Sequence, residues 1–332
     1  MAHSQNAESL AQGGNSAPAV RSIGWVMLGV LAAYLINNAL VVGFGFPYAM
    51  TLFSGGGALA GVTFAVYIFA IIGGLMVAWR SPGVSLRQDA LRIHGFNVYI
   101  IRSVFWVVLL VGLVDATIAI MRVESLFDGL VSEETVKQFN LVRFVGAKIH
   151  LPLVALGFVL GYFTRTLGFL WLALMIVAAE LLIVISRFVF SYEQALMGDL
   201  VRYWYAALFL FASAYTLFDD GHVRVDVLYA GFKTRTRGFV NAVGSLFLGS
   251  TTAWVILWIG FNGPQSIINA PVMNFEVTQS GVVGMFVKYQ MAAFLGIFAA
   301  TMLIQFVAFF FEAVADFRGE PGKRKTGEAA AS

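Results

Sequence analysis

Residues 168–190 read Gly-Phe-Leu-Trp-Leu-Ala-Leu-Met-Ile-Val-Ala-Ala-Glu-Leu-Leu-Ile-Val-Ile-Ser-Arg-Phe-Val-Phe. Only Glu180 and Arg187 are charged in this run. At about 1.5 Å per residue, a helix of this length crosses a hydrocarbon core roughly 30 Å thick. Comparable stretches recur at 23–45, 58–79, 98–121, 144–163, 201–218, 239–261 and 283–311. Of the 332 residues, 59% are hydrophobic and 12% charged, whereas soluble domains carry about 25% charged residues. The sequence therefore predicts an all-α polytopic membrane protein with about eight transmembrane helices. A barrel would show alternating segments of about ten residues, and none is visible. The net charge of +3 resides in membrane-flanking loops, which points to lipids and not to nucleic acid. The lack of cysteine removes disulfides, thiolate metal sites and thiol chemistry.

The connections divide by charge. One set holds Arg21; Arg80, Arg87 and Arg92; Arg165; Arg224, Lys233, Arg235 and Arg237; and Arg318 with Lys323, Arg324 and Lys325. The other holds Glu124, Asp128, Glu133 and Glu134, then Glu193, Asp199 and Glu276. Lys/Arg excess marks the cytoplasm, so both termini are expected there. Residues 1–22 are polar and are expected to be disordered. They lack the basic n-region and compact apolar core of a cleaved signal peptide, so the first span is expected to act as an uncleaved anchor. Ser132 is placed to cap a short interfacial helix that continues through Val136 and Phe139. Trp25, Trp79, Trp171, Trp204, Trp254 and Trp258 lie near span ends, as an interfacial belt would place them.

Asp115 and Glu180 lie inside apolar spans. A carboxylate at mid-bilayer costs about 2.5–3.5 kcal/mol on insertion scales, so each needs a partner. Arg122 and Arg187 follow them by seven residues, about 10 Å along the helix and too far for a direct bond. Partners are expected from another helix or another chain, with Arg202, Lys148 and His150 as candidates. Trp106, Asp115 and Arg122 repeat the spacings of Trp171, Glu180 and Arg187, a trace of internal duplication. Helix–helix or subunit–subunit adhesion is favoured over an ion relay, because the same spans otherwise read Leu, Val, Ile, Phe and Ala.

Residues 219–229 form a charged turn, Asp-Asp-Gly-His-Val-Arg-Val-Asp-Val-Leu-Tyr. His222 and Asp226 are four apart, but no second ligand pair accompanies them, which disfavours a metal site. No nucleophile elbow, phosphate loop or His-Glu-x-x-His motif is present, so no catalytic residue and no cofactor are assigned. The run Gly221 to Tyr229 resembles the signature of the DctQ-type small membrane subunit of TRAP (tripartite ATP-independent periplasmic) transporters. Arg187-Phe188 and Asp199-Leu200-Val201-Arg202-Tyr203 are similar to further motifs of that family. The resemblance covers spans five to eight. With the composition and charge pattern, it divides the chain into a polar start at 1–22, a four-helix extension at 23–166, a small-subunit-like module at 167–312 and a charged tail at 313–332.

What the resemblance implies is a scaffold subunit in the bacterial inner membrane. Its partners would be a large membrane subunit and a periplasmic solute-binding protein that delivers an organic-acid-like solute. Asp115, Glu180, Arg187, Asp199, Arg202, His222, Arg224 and Asp226 are the expected structural or partner-interface residues. A stand-alone carrier or channel using Asp115 and Glu180, or a membrane anchor of another complex, are the alternatives.

Overall fold

A computed structural model describes residues 16–166, 168–218, 227–277 and 281–323. His222, Arg224 and Asp226 lie outside these described residues. Within them are eight helices long and apolar enough to cross a membrane, and no strand. They are α1 (Pro18–Gly43), α2 (Gly57–Arg80), α3 (Leu86–Val123), α4 (Val142–Phe163), α6 (Ala195–Phe218), α7 (Thr234–Gly260) and α8 (Lys288–Arg318), with α5 (Phe169–Phe190) between α4 and α6. The protein is an all-α polytopic membrane protein. As expected, Ser132 accepts from the Thr135 N–H at 3.3 Å and starts a short helix at Glu133–Phe139.

Two boundaries moved for an identifiable reason. Helix α3 begins twelve residues before the expected 98, because its charged first turns are neutralised by other segments. Arg87 donates to Asp316 at 2.8 Å and to the Pro321 carbonyl at 2.7 Å, and Asp89 accepts from Arg21 at 2.6 Å. Helix α8 begins at Lys288 instead of 283, since the preceding backbone N–H groups of Met285 and Phe286 are taken by carboxylates of other helices.

The chain divides into two compact units, one of residues 1–97, 214–264 and 299–332, the other of 98–213 and 265–298. Helices α3, α6 and α8 contribute residues to both. In the first unit, α1 and α2 approach closely at small residues, the means by which membrane helices gain packing without a hydrophobic drive between them. A Cβ on Gly74 would stand 2.8 Å from the Trp25 backbone, and one on Gly29 would stand 2.6 Å from the Ala70 carbonyl oxygen. Arg21, only 1% exposed, also donates to the carbonyls of Ala78 at 2.9 Å and Ser81 at 2.6 Å. Its fork thus closes the α2–α3 turn, and Trp25 adds a 2.9 Å donor to Asp89. Asn97 of α3 donates to the Thr301 carbonyl of α8 at 3.0 Å.

The second unit repeats the device. Gly157 and Gly161 of α4 sit one turn apart against Val107 and Ser103 of α3, where added Cβ atoms would fall 2.8 Å from the Val107 nitrogen and 2.7 Å from the Ser103 Cα. Trp204 departs from the belt expected of it. It is fully buried, donates its indole N–H to the Val108 carbonyl at 3.2 Å and fills the space left by Gly112. Arg102 and Trp106 of α3 both bind Thr164, Trp106 at 2.9 Å through the hydroxyl. They hold the end of the helix before the short α4–α5 turn.

Candidate functional site

A polar network lies inside the second unit, around the start of α8. Helix α3 brings Asp115 into it and α4 brings His150, which are 0% and 1% exposed. His150 closes a π-helical turn at Gly146–His150, a widened turn of the kind often found at functional positions. Its Nε2 is 3.2 Å from Asp115 Oδ1, and its Nδ1 is 2.8 Å from the Tyr289 hydroxyl. Asp115 Oδ2 accepts the backbone N–H of Phe286 at 2.7 Å.

From Tyr289 the network continues to Gln290, which donates to its hydroxyl at 3.1 Å. The Tyr203 hydroxyl of α6 then donates to the Gln290 side-chain carbonyl. Two flanking contacts pin the segment before α8. Asp199 accepts the Met285 N–H at 3.2 Å, and Arg122 donates to the Gly284 carbonyl at 2.6 Å with its guanidinium over the Phe286 ring. Phe275 packs edge-on against Tyr289 and holds a positive φ of 50°, unusual for a bulky residue. Gly146 makes room for its ring, since a Cβ there would meet Phe275 at 2.4 Å.

Of the expected partners for Asp115, His150 is the one that reaches it. Lys148 is exposed. Arg202 is 75% exposed and stands 3.8 Å from Asp199. Arg187 lies 3.6 Å from Glu193, both exposed. Glu180 is exposed midway along α5 and makes no hydrogen bond or ion pair among the described residues. The two halves of the Trp-acid-Arg repeat therefore differ: one carboxylate is internally partnered and the other is not.

The sequence reading missed Tyr203, Tyr289 and Gln290. The signal was the polar triplet Lys288-Tyr289-Gln290 interrupting an expected span. Chemically the network is a clamp, because each polar side chain in it is engaged by another member or by backbone. Among the described residues no group of three potential metal ligands occurs.

Residues 174–316 match the family model for the DctQ component of tripartite ATP-independent periplasmic transporters. This segment is a DctQ domain. It begins within α5 and ends within α8, so the four C-terminal spans carry it. No curated protein and no solved structure matches the chain. The clamp joins residues on both sides of the DctQ boundary: Asp115 and His150 precede the domain, while Tyr203, Phe286, Tyr289 and Gln290 lie within it. In the first unit, Arg87 and Asn97 make the same kind of link to α8. DctQ proteins are transporter components and not an enzyme family.

Proposed function

We propose that this chain is the small, scaffold subunit of a TRAP-type secondary transporter. It braces a large membrane subunit that moves an organic-acid-like solute, driven by an ion gradient. A periplasmic binding protein delivers the solute. The bilayer is the bacterial inner membrane, and both chain termini face the cytoplasm. The observation that carries this reading is the DctQ match across the four C-terminal spans. The buried polar side chains described above are consistent with a bracing role, since they tie helices together.

In this reading Arg224 and Asp226 hold the cytoplasmic turn between α6 and α7. Arg187, Asp199 and Arg202 hold the opposite end of the α5–α6 pair. The N-terminal four helices enlarge the scaffold.

The test is purification of the chain from its native membrane in mild detergent, with mass spectrometry of what accompanies it. A large multi-span permease in near-equal amount is expected; recovery of the chain alone refutes the reading. Asp226→Ala should lower recovery of the assembled complex and leave solute preference unchanged. Altered preference with intact assembly would contradict a scaffold role.

A further inference from the structure

Helix α5 shows one narrow inward stripe, in which Leu172, Ile176 and Ser186 are buried. Glu180 stands about 80° around the helix from that stripe, at 100° per residue. Val177 and Val184, 64% and 48% exposed, flank it one turn to either side. The helix has 22 residues, so Glu180 lies about 16 Å from either end, at the middle of the apolar layer. Arg187, on the same side of the helix, is turned to Glu193. The result is a carboxylate in hydrocarbon with no partner among the described residues.

Leaving it against lipid is costly, and the side chain is too short to reach either headgroup layer from the midplane. We infer that the Val177–Glu180–Val184 face of α5 docks on a transmembrane helix of the large membrane subunit, which presents a basic side chain to Glu180 at the bilayer midplane. The identity of that partner rests on the function proposed above. The chemistry that selects it is charge complementarity inside an apolar contact. A lipid surface offers no cation at that depth. A second copy of this chain would set one Glu180 against another if the contact were isologous, and like charges there repel.

The chain contains no cysteine, so single-cysteine variants at Val177 and Val184 can carry a benzophenone photo-crosslinker without background. In the solubilised native complex, both positions should crosslink to the large subunit. Glu180→Lys should lower large-subunit recovery at least tenfold, while Glu180→Gln, which keeps a hydrogen-bond acceptor, should lower it less. The crosslinking keeps Glu180 itself native, so misfolding of the lysine variant does not decide the matter.

If the unsubstituted chain retains the large subunit but neither position crosslinks to it, the inference falls and the scaffold reading stands. Undiminished recovery with Glu180→Lys has the same consequence. If the unsubstituted chain brings down no large subunit, both fall.

Discussion

Replacing Asp115 with leucine removes two contacts at once and leaves their partners in place. The Phe286 N–H loses its 2.7 Å acceptor, and His150 Nε2 loses a carboxylate at 3.2 Å. A buried donor left unsatisfied costs about 1–3 kcal/mol. A side-chain hydrogen bond between membrane helices contributes roughly 0.6 kcal/mol on average and up to about 1.7. Leucine recovers part of this by removing a charge from a poorly solvating interior, so a net loss of about 2–3 kcal/mol is expected. Asparagine should be milder, at about 1 kcal/mol. Its carbonyl can still accept from Phe286, and its amide can donate to Nε2 if the His150 proton moves to Nδ1, facing Tyr289. The assay is the melting midpoint of the purified chain in one detergent at one scan rate, since unfolding of such proteins is commonly irreversible. At roughly 2–4 °C per kcal/mol for a large domain, Asp115→Leu should melt at least about 4 °C below the unsubstituted chain, with Asp115→Asn between them. An Asp115→Leu midpoint within about 1 °C, or an asparagine variant as damaged as the leucine one, would refute the clamp. The double variant Asp115→Leu/His150→Leu should lose less than the sum of the singles, as coupled neighbours do.

Further outcomes are expected elsewhere. Arg21→Lys should destabilise nearly as much as Arg21→Ala, because one ammonium cannot serve Asp89, Ala78 and Ser81 together; a lysine variant with the unsubstituted midpoint would argue against the fork. The Glu320 carboxyl, just beyond α8, is pushed above its ordinary value, first by burial and against the opposing pull of Arg318 and Arg87. Its contribution is fully present below the ordinary carboxylate pKa and is lost as pH rises through the raised one. Glu320→Gln should therefore melt above the unsubstituted chain near pH 7, with the gap closing toward about pH 4.5; a less stable Gln variant at pH 7 contradicts the sign. Removing residues 1–166 should leave a product that fails to give a monodisperse peak on gel filtration, since Tyr289 loses His150 and the buried Phe286 N–H loses Asp115. A monodisperse, undiminished product would show that the C-terminal spans stand alone.

The helical class and the approximate span positions were legible because twenty-residue apolar runs have no other common outcome in a chain this poor in charge. Helix ends were less so. Composition places Arg87 and Asp89 outside an apolar span, and only the tertiary positions of Arg21 and Asp316 allow the helix to carry them. The sequence marks Asp115 as needing a partner and offers Arg202, Lys148 and His150 for it. It gave no sign that the second oxygen would serve a peptide N–H 171 residues away. Trp204 looked interfacial from its place near a span start, yet Gly112 on another helix admits its ring to the interior. Positions of that kind are set by which helices meet, and a hydropathy profile contains no such term.

Several links around the start of α8 have a side chain at one end and only main chain at the other. Asp115 meets Phe286, Asp199 meets Met285 and Arg122 meets Gly284 in this way. Every residue except proline offers the same N–H and carbonyl, so positions 284 to 286 can drift among relatives, proline apart, without severing any of the three. Correlated substitution, which needs two side chains that compensate for each other, would find His150 for Asp115 but no counterpart for these three bonds to main chain. Among relatives, the retention that these three bonds impose would show no compensating position, and would invite a reading as transport residues when the counterpart in each bond is the backbone itself.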